Sequence, residues 1–277
     1  MDRIGPFEKI TEYQGQALPD GVFVALRSVP YTADNHHVWT FEGPSRWIQN
    51  LARFYLCIGY PASNHGQKID ADERYRRMKF NQAVAEIARV SIQSALNLLP
   101  HRLGLPLTTR IEGERAVFNT FDETTPIVLQ EIVRGGSWVS QLAQKEILPP
   151  WVGTIGRITA SAQRTVTNGK ATVAFSIKGA CPLGGSTLLT IEQALATGTT
   201  ATDVTPEVLR RCRSIPEKMI FIAYNAAVDG ILKVKECFPN ATVLVVILHG
   251  GINQHGYLIH PGCGDVGRMD AGVPDEL

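Results

Sequence analysis

Apolar runs alternate with helix-forming stretches from residue 125 to residue 248 of this 277-residue chain. The runs read TPIVLQEIV, WVGTIGRIT, STLLTIE, KMIFIAYNA and ATVLVVIL. The stretches between them include VSQLAQKEIL, AVDGILKVKECF and TPEVLRRCRS, and the last predicts a helix capped by Thr205 with Pro206 in its first position. Such alternation is typical of a sheet fed by crossover helices. The sequence therefore predicts an α/β fold with a mostly parallel central sheet flanked by helices.

Three further features organise the chain around that sheet. Residues 70–99 place apolar side chains at three-to-four spacing, which predicts one long amphipathic helix ending before Pro100. The segments QRTVT and ATVAFSI flank Asn168-Gly169, a two-residue turn signal that predicts a protruding β-hairpin arm. Residues 1–60 show no sustained period, so we interpret them as a lead-in packed on the core, with GVFVALRSV as a possible strand. One domain is then expected over residues 61–277.

The composition argues against nucleic acid and anionic membranes as partners. Lys and Arg total 27 and Asp and Glu total 26, so a net charge of +1 supplies no field that attracts nucleic acid or an anionic membrane. We therefore expect a small-molecule ligand, with any anion held locally. The five cysteines form no C-x-x-C pair, and the N-terminus lacks the pattern of a signal peptide. Since no apolar run reaches the roughly 20 residues of a membrane helix, these features favour a cytoplasmic protein.

The stretch ATGTT follows the apolar run STLLTIE and places a glycine among hydroxyl side chains. A glycine lets the backbone approach a phosphate closely, while neighbouring amides and hydroxyls act as donors. Thr197, Gly198, Thr199 and Thr200 are therefore a candidate phosphate cradle. Glu192, at the end of the preceding strand, is placed to accept hydrogen bonds from sugar hydroxyls. The alternative is a capped loop that only leads into a helix.

The longer stretch EQALATGTT resembles the sugar-phosphate loop of the uracil phosphoribosyltransferases, which are type I phosphoribosyltransferases. Other stretches resemble motifs of that family in the same order, and they read IVLQEIVRGGSW, WVGTIGR, MIFIAYNAAVDGILKVKECFPNATVLVVIL and GYLIHPGCGDVGRM. The resemblance spans residues 70–269. It implies the type I phosphoribosyltransferase-like fold, with the hairpin arm as a projecting hood that packs against a second subunit of a homodimer.

The resemblance also implies a reaction and a set of site residues. The reaction is the magnesium-assisted transfer of ribose 5-phosphate from phosphoribosyl pyrophosphate to a nitrogen of a pyrimidine base. The family motifs place the pyrophosphate at Arg134, Gly135 and Gly136, the 5′-phosphate at Thr197, Gly198, Thr199 and Thr200, the ribose hydroxyls at Glu192, and the base at Tyr257, Gly262, Gly264 and Asp265. Arg134, Glu192 and Asp265 are thus the candidate catalytic residues. Magnesium is expected to accompany the donor, and no set of metal-ligating side chains is implied.

The sequence departs from the family pattern at residues that would touch the donor. The family carries an Arg-Asp pair after its V-G-H-I-G strand, where this chain reads Ile158-Thr159-Ala160. An arginine at that place is suited to bidentate contact with pyrophosphate. Arg157 is nearby, but one step along a strand turns a side chain to the other face. In addition, the family's aspartate and second loop glycine are replaced by Glu192 and Thr199.

Three histidines, His249, His255 and His260, lie next to the base motif in the sequence, and His260 is inserted relative to the family pattern. With Asp265, they are candidates for substrate contact or proton transfer, and a solvated loop is the alternative. Three functions stay open on these grounds. They are an active phosphoribosyltransferase, the same fold diverted to a different small-molecule reaction in a specialised pathway, and a non-catalytic ligand sensor.

Overall fold

The computed structural model describes residues 1–32, 35–56, 70–103, 107–108, 110–111, 114–117, 119–121, 124–133, 141–148, 155–167 and 170–262. The helices are α1 (Arg46–Leu56), α2 (Asp70–Leu96), a π-helix (Ala143–Ile147), α3 (Thr199–Cys212) and α4 (Val228–Cys237). The strands are β1 (Arg3–Ile4), β2 (Phe7–Lys9), β3 (Glu12–Tyr13), β4 (Gln16–Ala17), β5 (Val22–Thr32), β6 (Asn35–Glu42), β7 (His101–Leu103), β8 (Leu107–Thr108), β9 (Arg115–Ala116), β10 (Asn119–Phe121), β11 (Ile127–Val133), β12 (Ile155–Thr167), β13 (Lys170–Lys178), β14 (Thr187–Leu195), β15 (Lys218–Ala226), β16 (Thr242–Leu248), β17 (Gly251–Ile252) and β18 (Leu258–Ile259).

One ten-stranded sheet runs through the described residues. Its order is β1-β2-β5-β16-β15-β14-β11-β12-β13, with β6 also paired to β5. All neighbours from β5 to β12 along this order are parallel. The pairs at either side, β2 with β5, β5 with β6 and β12 with β13, are antiparallel. The predicted mostly parallel central sheet is therefore confirmed.

Helices cover both faces of this sheet, because its central strands are apolar on both sides. Leu189 and Ile222 belong to a buried cluster that includes side chains of α1 and α2. Leu188 and Phe221, one residue away in each strand, belong to a second cluster with α3 and α4. The predicted long helix is α2, which buries the apolar stripe from Phe80 to Ile92. None of the helices in the described part of the chain is long and apolar enough to span a membrane.

The N-terminal segment contributes a strand to the interior of the sheet. The segment GVFVALRSV forms most of β5, which pairs in parallel with β16 through contacts such as Val24 with Val245. Phe23 packs in the cluster of α1 and α2, and Val22 packs in the cluster of α3 and α4. Residues 22–32 are therefore part of the sheet itself, whereas the sequence suggested a lead-in packed on it.

The hairpin arm is formed by β12 and β13. Thr167 of β12 pairs with Lys170 of β13, which leaves the two turn residues 168 and 169 between them, outside the described residues. Pairing of β12 with β11 ends at Ser161, and beyond it β13 is the only described neighbour. The segments WVGTIGRIT and QRTVT, predicted as separate strands, thus contribute to one continuous strand that extends past the body of the sheet.

Helix α3 begins earlier than the sequence predicted. It starts at Thr199 directly after Gly198, and Pro206 lies inside it. Thr205, predicted as the helix cap, is fully buried, and its hydroxyl accepts a hydrogen bond of 2.9 Å from Gln130 Nε2 of β11. The prediction of a cap at Thr205 was wrong because this hydroxyl joins the helix to the sheet instead.

Candidate active site

The loop after β14 lies at the edge of the sheet where the parallel strands end. In such sheets, ligands bind beyond the carboxyl ends of the strands, next to helix N-termini. Strand β14 ends at Leu195 and α3 begins at Thr199, so Thr197 and Gly198 lie in a short connection and Thr199 and Thr200 form the start of the helix. The structure therefore places the Thr197–Thr200 stretch where a phosphate-binding loop is expected.

Gly198 has a backbone conformation and surroundings that no other residue type fits well. Its φ of 72° lies in the left-handed region, and a Cβ there would come within 2.8 Å of Gly230 O. Gly230 is equally restricted, since its Cβ would lie 2.4 Å from Leu195 O. These two glycines bring the loop and the first turn of α4 into backbone contact.

Donor groups converge on this loop. The first intrahelical bond of α3 runs from Thr202 N to Gly198 O at 3.0 Å, so the N–H groups before Thr202 have no carbonyl partner within the helix. Thr199 N lies 3.5 Å from Thr197 Oγ1. Thr197 Oγ1 donates to Thr199 Oγ1 at 3.2 Å. The positive end of the helix dipole adds to the attraction for an anion.

Lys233 of α4 adds a positive charge to the same place, and sequence reasoning missed it. Its Nζ donates to Thr199 Oγ1 at 2.8 Å. The side chain lies one turn beyond Gly230, at whose backbone α4 approaches the loop. The sequence around Lys233 does not indicate that this side chain meets the loop, because only the packing of α4 on α3 brings it to Thr199.

Glu192 lies inside β14 rather than at its end. It pairs in register with Ile132 of β11 and Ala223 of β15, and the strand continues for three more residues to Leu195. The side chain is half-buried at the same edge of the sheet as the loop. The predicted strand STLLTIE is thus too short, because β15 continues to pair as far as Ala226.

The predicted base motif begins as a small hairpin of β17 and β18. Gly262, just after it, has a φ of 80°, and a Cβ at this position would lie 2.3 Å from Leu258 O. Its N–H donates to His249 Nδ1 at 3.2 Å. The glycine is therefore required by the backbone of this loop, whose conformation is fixed against the end of β16.

His249 is a buried link between three parts of the site. Its Nδ1 accepts from Gly262 N, so the ring proton of the neutral form is on Nε2, which lies 2.8 Å from Asn225 Oδ1. Asn225 Nδ2 in turn donates to Gln193 O at 3.2 Å, beside Glu192. Burial lowers the pKa of His249 to about 3, so the ring is neutral near pH 7. Its role in the structure is to join the loop that carries Gly262 to Asn225 of β15 and, through Asn225, to β14.

Tyr257, His255 and His260 lie on the outer part of this loop. The Tyr257 side chain is 54% exposed, and the His255 ring is exposed next to Gln254. Asn253 Oδ1 accepts from the N–H groups of His255 and Tyr257, which fixes the turn between the two short strands. The His260 ring packs against Trp39 with ring centroids 4.8 Å apart.

Some predicted site residues lie outside the described residues. These are Arg134, Gly135, Gly136, Gly264 and Asp265. Of the predicted set, the described residues are the Thr197–Thr200 stretch and Glu192, and Tyr257, His260 and Gly262 of the predicted base motif.

Comparison with known proteins identifies the family. The family model described as uracil phosphoribosyltransferase matches residues 71–269 of the chain. The chain belongs to the uracil phosphoribosyltransferase family. The predicted resemblance is thereby confirmed, and it covers the sheet from β11 to β16 together with α2, α3 and α4.

Individual relatives match over a shorter stretch. The uracil phosphoribosyltransferase of Thermococcus gammatolerans is 35% identical over 88 residues, which cover 32% of this chain and 38% of the relative. That of Thermococcus sibiricus is 34% identical over 91 residues, covering 33% of this chain and 38% of the relative. The chain thus spans less than two fifths of the length of these curated relatives.

A solved structure supports the fold over a larger part of the chain. The AQ2163 protein from Aquifex aeolicus matches with a TM-score of 0.61 and 20% identity, covering 83% of this chain and 96% of that protein. At this identity the likeness concerns the fold alone. Together with the family match, it confirms the predicted type I phosphoribosyltransferase-like architecture.

Strand β12 contains Ile158, Thr159 and Ala160, the place where the family carries its Arg-Asp pair. Ile158 is fully buried in the cluster with α3 and α4, as is Ala160. Arg157 alternates to the opposite face, the one on which Ile155 packs against the cluster of α1 and α2. Thr159, the middle residue of that place, is half-buried and alternates to the same face as Arg157. None of the three residues at the place where the resemblance expects the Arg-Asp pair carries a guanidinium, and two of them are built into the apolar core.

Proposed function

We propose that this protein transfers ribose 5-phosphate from phosphoribosyl pyrophosphate to a ring nitrogen of a pyrimidine-type base. The observation that carries the proposal is the set of donors at the loop after β14. Gly198 has a left-handed backbone conformation, the first turn of α3 follows it, and Lys233 Nζ lies at Thr199 in that turn. Family membership supplies the class of reaction. The base motif, tied through His249 and Asn225 to the neighbouring strands, lies at the same edge of the sheet.

The proposed roles follow from the position of each group. The amides of α3, the threonine hydroxyls and Lys233 hold the 5′-phosphate, and Glu192 accepts hydrogen bonds from the ribose hydroxyls. The bond from C1′ to the pyrophosphate oxygen breaks, and the pyrophosphate leaves with the electron pair. The base nitrogen forms the new bond to C1′ and its proton is released. Because the sugar carries positive charge in between, fixed positions for donor and base supply most of the catalysis.

In this proposal magnesium binds together with phosphoribosyl pyrophosphate. No group of three or more His, Cys, Asp or Glu side chains that could hold a metal ion occurs within the described ranges. When bound with the donor, the ion would neutralise charge on the pyrophosphate.

Isothermal titration with phosphoribosyl pyrophosphate and magnesium, with and without uracil, tests the proposal. We expect the donor to bind, and chromatography to show a nucleotide product once a pyrimidine base is present. A donor that gives no heat and a base that gives no nucleotide would contradict the proposal. Other pyrimidines, tested in the same assay, identify the preferred base.

One observation favours a second candidate, a ligand-binding protein that does not transfer the sugar. The place of the family's Arg-Asp pair holds Ile158, Thr159 and Ala160, so it offers no guanidinium to the leaving pyrophosphate, and Ile158 and Ala160 are buried in an apolar cluster. The two candidates differ in one result. A sensor binds the donor and is stabilised by it in thermal melts, yet forms no nucleotide with any base.

We also propose a cytoplasmic homodimer in which the arm of β12 and β13 packs against the second subunit. The arm extends beyond the last pairing with β11 at Ser161, so it lies free of the central strands. Small molecules are the expected ligands, since a net charge of +1 does not attract nucleic acid. Light scattering after size exclusion measures the subunit number.

Replacing Lys233 with methionine is expected to weaken donor binding about tenfold, because one charged hydrogen bond to the phosphate is lost. The change keeps the apolar stem of the side chain against the helix. The Kd for phosphoribosyl pyrophosphate, measured by calorimetry, checks this. Lys145→Met is the matched control, because Lys145 is exposed on the π-helix at the other face of the sheet. Equal affinities in the two variants would remove Lys233 from the site.

A further inference from the structure

The N-terminal strands touch the base motif at His260. Ser28 of β5 donates from Oγ to His260 O at 2.7 Å, and the same carbonyl accepts from Gly250 N at 3.1 Å. Ser28 is fully buried, at the carboxyl-end side of a strand that the family match does not include, since that match begins at residue 71. A residue outside the family region therefore holds the backbone of the loop that carries Gly262.

Ser28 is itself held by a second buried hydroxyl. Tyr13 donates to Ser28 O at 2.5 Å, and its hydroxyl oxygen lies 3.0 Å from Ser28 Oγ. Burial raises the pKa of Tyr13, so the hydroxyl keeps its proton and acts as a donor near pH 7. This arrangement leaves the Ser28 hydroxyl proton for the His260 carbonyl.

His260 has an uncommon backbone conformation that several contacts hold. Its φ of 64° is in the left-handed region, which residues other than glycine adopt rarely, although histidine does so more often than most. Two donors meet at its carbonyl, and its ring packs against Trp39 of β6. Two residues further on, Gly262 N bonds to His249. The loop over residues 258–262 is thus held on one side by the N-terminal strands and on the other by the end of β16.

We propose that Ser28 and Trp39 are positioning residues that set the affinity for the base by fixing the 258–262 loop through His260. The inference rests on the proposed function, because the base is the substrate that this loop would meet. The groups proposed to bind the donor's phosphate lie on α3 and α4, whereas the contacts described here join β5 and β6 to the 258–262 loop.

Steady-state kinetics of the full-length Ser28→Ala protein tests the proposal. We expect KM for the base to rise about tenfold, while kcat and KM for phosphoribosyl pyrophosphate stay within about twofold. Ser186→Ala is the matched control, because Ser186 Oγ also donates at 2.7 Å to a carbonyl, that of Leu183, and is fully buried far from the loop. An unchanged KM for the base, or an equal change in both KM values, would overturn the proposal.

Trp39→Ala is expected to raise KM for the base in the same selective way, and Trp39→Phe to restore most of it, since an aromatic ring remains against His260. Trp47→Ala, at a side chain that is 55% exposed on α1, is the control. If Trp39→Ala and Trp47→Ala behave alike, Trp39 has no positioning role.

Hydrogen exchange separates this inference from the proposed function. If the wild-type protein forms no nucleotide, the function proposal fails, but exchange of the peptide containing residues 258–262 is still measurable. We expect that peptide to exchange at least tenfold faster in Ser28→Ala than in the wild type or in Ser186→Ala. Equal exchange rates in all three proteins would overturn the positioning role whatever the activity.

Discussion

Replacing Gly198 with alanine is expected to weaken binding of phosphoribosyl pyrophosphate by about a hundredfold or more. The added Cβ would meet two backbone atoms of α4, Gly230 O at 2.8 Å and Gly230 Cα at 3.2 Å, and backbone atoms of a packed helix cannot move aside, so the loop itself must shift. Alanine also adopts the left-handed conformation poorly, which costs about 1 kcal/mol. Donor amides that move by even a fraction of an ångström lose much of their interaction with the phosphate. Calorimetric titration with the donor and magnesium measures the loss.

Gly184→Ala is the control for the Gly198 variant. A Cβ at Gly184 has no atom within 4 Å, and this residue is not in the left-handed region. We expect its donor affinity and its melting temperature to equal those of the wild type. Unaltered donor binding in Gly198→Ala would place the phosphate elsewhere and would remove the main support for the proposed transferase. A variant that melts lower but still binds the donor normally would have the same consequence.

Lowering the pH from 7.5 to 5 is expected to destabilise the protein by about 2 kcal/mol through His249 alone. Burial holds the pKa of His249 at about 3 in the folded state, against 6.5 for the exposed ring. Between these values, the unfolded chain binds a proton that the folded protein does not bind. The free energy of unfolding therefore falls as the pH falls from 6.5 towards 3. At pH 5, about 1.5 units below the pKa of the unfolded chain, the loss is about 2 kcal/mol.

Urea unfolding of the wild type and of His249→Gln at both pH values isolates this contribution. Glutamine does not titrate, so the variant is less stable at pH 7.5, where it lacks the two ring contacts, but loses about 2 kcal/mol less on acidification. His255→Gln serves as the control, because that ring is exposed on the same loop. Identical pH dependence in the wild type and in His249→Gln would mean that the ring is not held neutral.

The local chemistry of the site was predictable from the sequence. A glycine between threonines after an apolar strand indicates a candidate phosphate loop, because backbone amides and hydroxyls act over a few neighbouring residues. Parallel strands buried on both faces are apolar throughout, so β14, β15 and β16 were recognisable as runs. The start of α3 was misplaced because Thr205 has the residue type of a cap, while its hydroxyl is used by Gln130 of a distant strand.

Contacts between distant parts of the chain account for what was missed. Lys233 reaches Thr199 across 34 residues, and Asn225 is joined to His249 across 24 residues. The residues next to Lys233 and Asn225 in the sequence do not indicate these contacts, because the packing of helices and strands determines which side chains meet. His249 in particular has the residue type of an acid or base, whereas its burial makes it a neutral structural link.

The sequence alone determined the alternating strands and helices, the glycine-threonine loop and the family, because each of these is written in short stretches of neighbouring residues. The tertiary structure decided that the N-terminal segment enters the sheet and that Ser28 holds His260, 232 residues away. The physical reason is that this hydrogen bond depends on how closely β5 approaches the turn after β18. That approach is set by packing over the whole sheet, which no local pattern of residues records.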